Sequence, residues 1–300
     1  MLPGAVLQGA GNGGAQHRTR RQRRPCSHRQ GHSDGERILR HGARALPGAR
    51  RQGRPDRCEH VLAHVLDIDD FVGGIRTLLK PHGVATPEFP HLMRLIDDNL
   101  FGTIYHELFS YLSFTIVKKV FAARGLTVFD VEEVPTHGGS LRIRVQHQEN
   151  DARQIGERVQ DWLRLGRDRG LQGVEVYQPF RQKVAEAKRR LQSFLIDTRN
   201  RGKSIAGYGA PGKGNTLLNY RGIGTDFLDY AVDRNPTKQG NYLPGTRILI
   251  HPPEHIRHTK PDFLLILPWN LEDEIIAKNG HIRDWGGQFV VPIPETMIYS

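Results

Sequence analysis

Cysteine is almost missing from this chain: Cys26 and Cys58 are its two. Two are too few for a disulfide framework or an all-cysteine zinc site. No metal is therefore expected, and a reducing cytoplasm is the natural compartment. No run of about 18 apolar residues occurs, so no membrane-spanning helix is expected. The N-terminus is basic but has no apolar core segment, unlike a secretory signal. Residues 1–60 also lack Phe, Tyr, Trp and Lys, and hold one Val and one Ile. Such a stretch cannot bury enough apolar surface to offset its chain entropy, so residues 1–59 are expected to be a disordered Arg-rich segment.

The 300 residues carry a formal net charge of +11, and its location decides its meaning. The first 60 residues have 13 Arg against four acids, Asp34, Glu36, Asp56 and Glu59, while the other 240 carry 30 bases against 28 acids. The body of the protein is near neutral, with no global field to steer a polyanion. The run "RTRRQRR" can bind phosphates through counterion release, but no aromatics interleave for base stacking. Nucleic acid is therefore not the expected partner. An Arg-rich, Lys-free, aromatic-free stretch is also what a GC-rich gene yields when read out of frame. It ends abruptly at His60, where ordinary amphipathic protein begins.

The body alternates strands with helices. "VLAHV" (Val61–Val65) reads as a short buried strand. Asp67 or Asp69 caps a following helix with Phe71, Ile75, Leu78 and Leu79 on one face, ended by Pro81 and Gly83. "GVATPEFP" is the next strand, with Pro87 removing a ladder donor, and the three elements form a parallel unit. Residues 91–125 are long, apolar and predicted mostly helical, with a break near Gly102. "LTVFDVEEVPTHGGSLRIRVQ" is a hairpin turning at His-Gly-Gly. Residues 151–201 read as a charged helical linker. From Ser204 a second alternating unit runs through "KSIAGYGA", "FLDYAVDRNP", "RILIHPPEHI", "DFLLILPWN" and "QFVVPIP", the pattern of a doubly wound sheet.

Two clusters are candidate sites. "SIAGYGAPGKGNT" (Ser204–Thr216) contains Gly207, Gly209 and Gly212 as G-x-G-x-x-G, and also G-x-x-x-x-G-K ending at Lys213. A P-loop needs Ser or Thr after that Lys to ligate magnesium, and Gly214 stands there, which excludes nucleotide triphosphate hydrolysis on motif grounds. The dinucleotide fingerprint does better. It follows a strand, opens a helix, and has Asp233 on a second strand, 21 residues past Gly212. A phosphate site and a structural turn share this signature, so both readings stand, and an NAD(P)-dependent oxidoreductase is one alternative. The second cluster is "TIYHELFSY", where Tyr105, His106, Glu107, Ser110 and Tyr111 crowd seven positions. Such a group suits acid–base work, and an amphipathic helix with a solvated face explains it equally well. His64 lies at the carboxyl end of a candidate strand, where open α/β sheets place ligands. His137 sits in a turn.

Taken together, "VLAHV", "EFPHLMRLI", "FGTIYHELFSYLS", "FDVEEVPTHGGSLRI", "AGYGAPGKGNTLLNY", "DYAVDRNPTKQGNYLPGT" and "WGGQFVVPIPE" resemble the SAM-dependent C-methyltransferases of nucleotide-linked deoxy-keto sugars. The resemblance covers about residues 60–297. It implies an α/β protein: the C-terminal half of a class I SAM-methyltransferase Rossmann domain (60–150), a helical linker (151–201) and a second Rossmann-like, parallel-sheet domain (202–300), behind a disordered basic N-terminus. It implies a nucleotide sugar as small-molecule partner, S-adenosyl-L-methionine as cofactor, and no membrane. The reaction it implies removes a proton beside a sugar ketone, after which the enolate attacks the SAM methyl. The family's Tyr-His-Glu-His motif matches Tyr105, His106 and Glu107, but Leu108 stands in place of the second His, the one usually given the base role. His64 or Glu107 is then the candidate base. His137, Gly138 and Gly139 match the turn beside the sugar. The loop with Gly207, Gly209, Gly212, Lys213 and Asn215 would face the sugar nucleotide rather than NAD.

The family's zinc cysteines, SAM glycine motif and ribose acid all belong upstream of Val61, where this chain has its Arg-rich segment. With GC-rich codons and a one-base shift, "HRQGHSDGE" reads TAKAIPTA, like the family's "AKGIPT". "RQGRPDRCE" reads GKAGRIAAN, like "GKADLI.ANNVLAH". Residues 1 to about 59 are therefore expected to be a frameshifted reading of the SAM domain. The half sheet would then have an exposed edge and bind no SAM, which leaves a non-catalytic sugar-nucleotide-binding remnant as the other alternative.

Overall fold

The computed structural model describes residues 57, 58 and 61–300. Of the segment 1–59 expected to be disordered, Arg57 and Cys58 are described and form a short strand; the rest of it, with its reading frame, lies outside the described residues. Two sheets organise the rest. The first contains β1 (Arg57–Cys58), β2 (Thr86–Pro90), β3 (Leu126–Val134) and β4 (Ser140–His147) in the order β1-β2-β4-β3. The pair β1–β2 is parallel, and β4 pairs antiparallel with both β2 and β3. The β3–β4 hairpin turns at His137–Gly139, as its two alternating runs predict. Helix α1 (Ile68–Leu78) joins β1 to β2 and is capped by the Asp67 side chain, which accepts from the Asp70 amide.

Three readings of this half change. Val61–Val65 is a turn, closed by the His64 amide on the Val61 carbonyl at 2.9 Å; the parallel strand is β1, just upstream. Leu62 and Ala63 are buried, so the apolar run marked burial rather than a ladder. Leu78 is exposed, and Val72 takes its place beside Phe71 and Ile75. The long helix over 91–125 is two short ones, α2 (Leu92–Asp97) and α3 (Phe114–Ala123), with a single 3-10 turn at Phe101–Thr103. Asn99 is left-handed (φ 55°), which ends α2. Residues 104–113 then run as irregular chain, so Tyr105–Tyr111 do not lie on an amphipathic helix.

The break has a packing cause. Leu95, Ile96, Leu100 and Phe101 are buried not with the first sheet but with the core of the second. A continuous helix would point half of them the wrong way. The first core instead gathers Phe89, Phe114, Phe121, Val128, Leu141 and Ile143. The helices of 151–201 divide between the two cores. Val159 of α4 (Glu157–Asp168) joins the first, while Val184, Leu191 and Leu195 of α5 (Gln178–Asn200) join the second.

The second sheet holds β5 (Ile205–Tyr208), β6 (Tyr230–Val232), β7 (Ile250–His251), β8 (Phe263–Ile266), β9 (Gln288–Val291) and β10 (Met297–Tyr299), ordered β10-β9-β8-β5-β6-β7. All neighbours are parallel except β10, an antiparallel edge strand that the sequence pattern did not announce. After β5 the chain moves to one side (β6, β7), then returns to the other (β8, β9). The carboxyl ends of β5 and β8 therefore flank a topological switch point, where open α/β sheets bind ligands. Helix α6 (Gly212–Arg221) starts there, and so does the Trp269–Leu271 turn after β8. Among the described residues no helix is long and apolar enough to cross a membrane.

Candidate active-site cleft

The irregular chain of 104–113 is held over this switch point. The Phe109 and Ser110 amides donate to the Ala63 carbonyl at 2.9 and 3.3 Å, and the Tyr105 amide to the Thr103 carbonyl at 3.2 Å. Underneath, a cleft is lined by His64, His91, Tyr105, Glu107, Leu108, Tyr111, His137, Gly139 and Lys213, among others. These residues span 150 positions of sequence. Six of the expected site residues converge on it: His64, Tyr105, Glu107, His137, Gly139 and Lys213.

His64 Nδ1 lies 2.8 Å from the Glu107 carbonyl oxygen. A carbonyl only accepts, so Nδ1 carries a proton, and in the neutral ring Nε2 keeps the lone pair. That is the tautomer of a proton acceptor. Tyr105 Oη donates to Glu107 Oε2 at 2.6 Å. Burial first, and then the Glu107 hydrogen bond and charge, push the phenol above its ordinary value, so Tyr105 stays a donor. Lys213 enters from the start of α6. Its Nζ donates to Asn270 Oδ1 at 2.7 Å and sits 4.8 Å from the centre of the Trp269 ring. Burial lowers its pKa from 10.5 to about 8. The cleft thus offers a lone pair, a neutral donor and a cation.

The other expected residues are placed differently. His106 is exposed and does not line the cleft. Gly138 (φ 91°) lies behind it, where a Cβ would come within 3.0 Å of both Leu100 and the Trp269 ring. Gly207 is buried inside β5, and Gly209 (φ 83°) makes the turn after it. At Gly212 a Cβ would stand 3.0 Å from the Tyr105 ring. That close approach explains the glycine without a phosphate. Asn215 is half-buried outside the cleft, its Oδ1 without a partner among the described residues. Asp233, the acid of the dinucleotide reading, is engaged by its own loop and by the turn after β5. Its Oδ2 accepts from the Ala210 amide at 2.7 Å and from Lys238 Nζ at 3.5 Å, and its Oδ1 accepts from the Asn235 amide at 2.8 Å.

Sequence reasoning missed three things here. His91 borders the cleft; it follows a strand, the signal that marked His64, but was not among the expected site residues. Leu108, the departure from the family motif, is itself a lining residue. Asn270 and Trp269, which seat Lys213, follow β8 in a stretch readable only as strand then turn.

Residues 135–294 match the family described as the C-methyltransferase C-terminal domain. The C-methyltransferase NovU of Streptomyces niveus is 35% identical over 238 residues, covering 79% of this chain. The chain spans 56% of that protein's length.

Proposed function

This chain belongs to the C-methyltransferase family, and on that footing we propose that its cleft binds a nucleotide-linked deoxy-keto sugar and removes the proton beside the sugar's ketone. One observation carries the reading. A proton acceptor (His64 Nε2), a neutral donor (Tyr105) and a cation (Lys213) meet in one cleft at the switch point of the second sheet. Enolisation needs that set. The carbon–hydrogen bond breaks, its proton goes to His64, its electron pair forms the carbon–carbon double bond, and charge moves onto the ketone oxygen. Lys213 then stabilises that oxygen, and Tyr105 joins it when its single O–H turns from Glu107 to the oxygen. Glu107 orients both partners, His64 through its carbonyl and Tyr105 through its carboxylate. The turn His137–Gly139 forms the wall on the hairpin side.

Members of the family take a methyl group from S-adenosyl-L-methionine. The described residues do not fit that cofactor. A class I site needs a glycine-rich turn between a parallel strand and a helix, with an acid on the next strand. In the first half, β2 runs into α2 through Pro90 and His91, and the glycines at 138 and 139 turn a hairpin instead; in the second half the β5–α6 turn has the glycines, but the Tyr105 ring closes on Gly212 and Asp233 already accepts from the Ala210 amide.

Deprotonation is testable without methyl transfer. Incubating the chain with a thymidine-diphosphate-linked 4-keto-6-deoxy sugar in D2O, and following the protons beside the ketone by NMR, is expected to show enzyme-dependent exchange. His64→Gln is expected to slow it by about 10²–10⁴-fold. No exchange above the buffer rate with the wild-type chain would refute the reading.

A further inference from the structure

His91 stands at the end of β2, immediately before α2, and the fold holds it from several sides. Its amide donates to the Gly139 carbonyl at 3.2 Å, the next amide donates to Leu112, and the residue bridges to Leu112 as a parallel pair. The ring meets Trp162 edge-on at 5.2 Å and the residue is 3% exposed. Nδ1 is sealed and has no hydrogen-bond partner, while the ring borders the cleft shared by His64 and Tyr105. A proton on Nδ1 would be a buried donor without an acceptor, the costlier arrangement. The proton therefore belongs on Nε2, the nitrogen left for a ligand.

We propose that His91 is a catalytic residue whose neutral imidazole donates Nε2–H to the sugar's ketone oxygen and to the enolate that oxygen becomes. The proposal rests on the enolisation reading above and deepens it. The imidazole keeps its proton throughout; the proton that moves goes from carbon to His64. Burial, opposed by Glu133 and assisted by Arg94, holds the His91 pKa down at about 4. With Nδ1 sealed and Nε2 protonated, the ring offers the cleft no lone pair to compete with His64 for the carbon's proton. It can still stabilise oxygen charge as a fixed dipole, the arrangement by which a neutral His acts as electrophile in other enolising sites. Glu133 does not draw the proton away, because Arg94 holds its carboxylate at 2.5 and 3.0 Å.

The test uses the full chain labelled with 15N-histidine, with His91→Gln and His91→Phe for assignment and kinetics. Long-range proton–nitrogen spectra are expected to show His91 neutral, protonated at Nε2, down to pH 5. Adding the 4-keto sugar nucleotide should shift Nε2, and adding its 4-hydroxy analogue should shift it less. His91→Phe should lower the exchange rate about 10²-fold with the affinity for the 4-hydroxy analogue unchanged. His91→Gln, which keeps an N–H, should recover part of that loss. An Nδ1–H tautomer, protonation near pH 6.5, or wild-type exchange in both variants would overturn the proposal. If the wild-type chain exchanges no proton at all, the enolisation reading fails by itself. The Nε2 shift on ligand binding then judges His91 separately, and its absence overturns the donor role.

Discussion

Replacing Lys213 by Met should make the protein more stable and less active. Lys213 is charged in a place that disfavours charge. Burial lowers its pKa from 10.5 to about 8. At ~1.4 kcal/mol for each tenfold change in proton affinity, holding the ammonium there costs about 3 kcal/mol relative to the neutral amine. The amine keeps part of its hydration at the cleft, so that figure is an upper bound. Against it stand the bond to Asn270 at 2.7 Å and the position over Trp269 at 4.8 Å. Losing the first costs about 1 kcal/mol net, and losing the second costs roughly 0.5–1 kcal/mol. Met supplies apolar contact with the same indole. The variant should therefore be more stable than wild type by about 1–2 kcal/mol at pH 7.

The sign reverses with pH. Because the folded pKa lies below the unfolded one, the unfolded chain binds more protons between pH 8 and pH 10.5, and wild-type stability rises across that window. The Lys213→Met variant lacks this gain. Its advantage should hold below pH 8, shrink as pH rises, and turn into a deficit of about 1 kcal/mol above pH 10.5, where only the lost Asn270 bond counts. Paired urea melts at pH 7, 9 and 10.5 measure it, and comparing the two chains cancels their shared titrations. Exchange of the sugar proton should fall in the same variant, the trade-off expected of a strained functional charge. A variant less stable than wild type at pH 7, or a gap that ignores pH, would refute the reasoning.

Two further outcomes follow from the geometry. Gly212→Ala gains up to about 1 kcal/mol of helix propensity but sets a Cβ 3.0 Å from the Tyr105 ring. Melts should move by less than about 1 kcal/mol, while proton exchange drops several-fold as Tyr105 leaves Glu107; full exchange would show that this contact does not set Tyr105. Leu108→His places a fourth imidazole in the lining, beside Tyr105. Exchange is expected to rise at least tenfold, measured by the same NMR assay, and an unchanged rate would mean that position 108 does not reach the substrate's acidic carbon.

Where sequence signals were local, they were legible. The hairpin β3–β4 follows from two alternating runs around a His-Gly-Gly turn, and β5 to β9 follow from short apolar runs bounded by Gly, Pro and Asp. The stretch 91–125 failed because its apolar residues answer to two cores. Leu95, Ile96, Leu100 and Phe101 pack with the second sheet, whereas Phe114, Val117 and Phe121 pack with the first. A single helical period cannot serve both, and nothing in the local pattern records which core a Leu will join. The same divided packing brings Tyr105 and Glu107 to Lys213, more than 100 residues later. Residue types at those positions pointed to chemistry, but only the tertiary arrangement makes them one site. His91 was not among the expected site residues because its distinguishing features, a sealed Nδ1 and a bordering cleft, are properties of packing.

The glycine motif shows how one signature serves two physical ends. Gly207, Gly209 and Gly212 stand where a dinucleotide site would have them, after a strand, at a helix start, and beside a switch point. Glycines there let something approach the backbone closely, and a phosphate is one candidate. At Gly212 what approaches is the protein's own first half, whereas Gly207 and Gly209 make room for Ala231, Leu267 and Pro268 of the second half itself. The Tyr105 ring stands where a Gly212 Cβ would be, Gly102 lies against the Lys213 carbonyl with room for a Cβ only at 3.0 Å, and Gly138 is closed on by Leu100 and Trp269. The acid that would hold a ribose is already bonded to the Ala210 amide. Gly212, Gly102 and Gly138 thus seat one half of the chain on the other, and the proposed ligand place lies on the far side of Tyr105 rather than at the helix start. Lys213 is the α6 side chain that lines that cleft, so the proposed enolisation uses its charge rather than the backbone amides beside it.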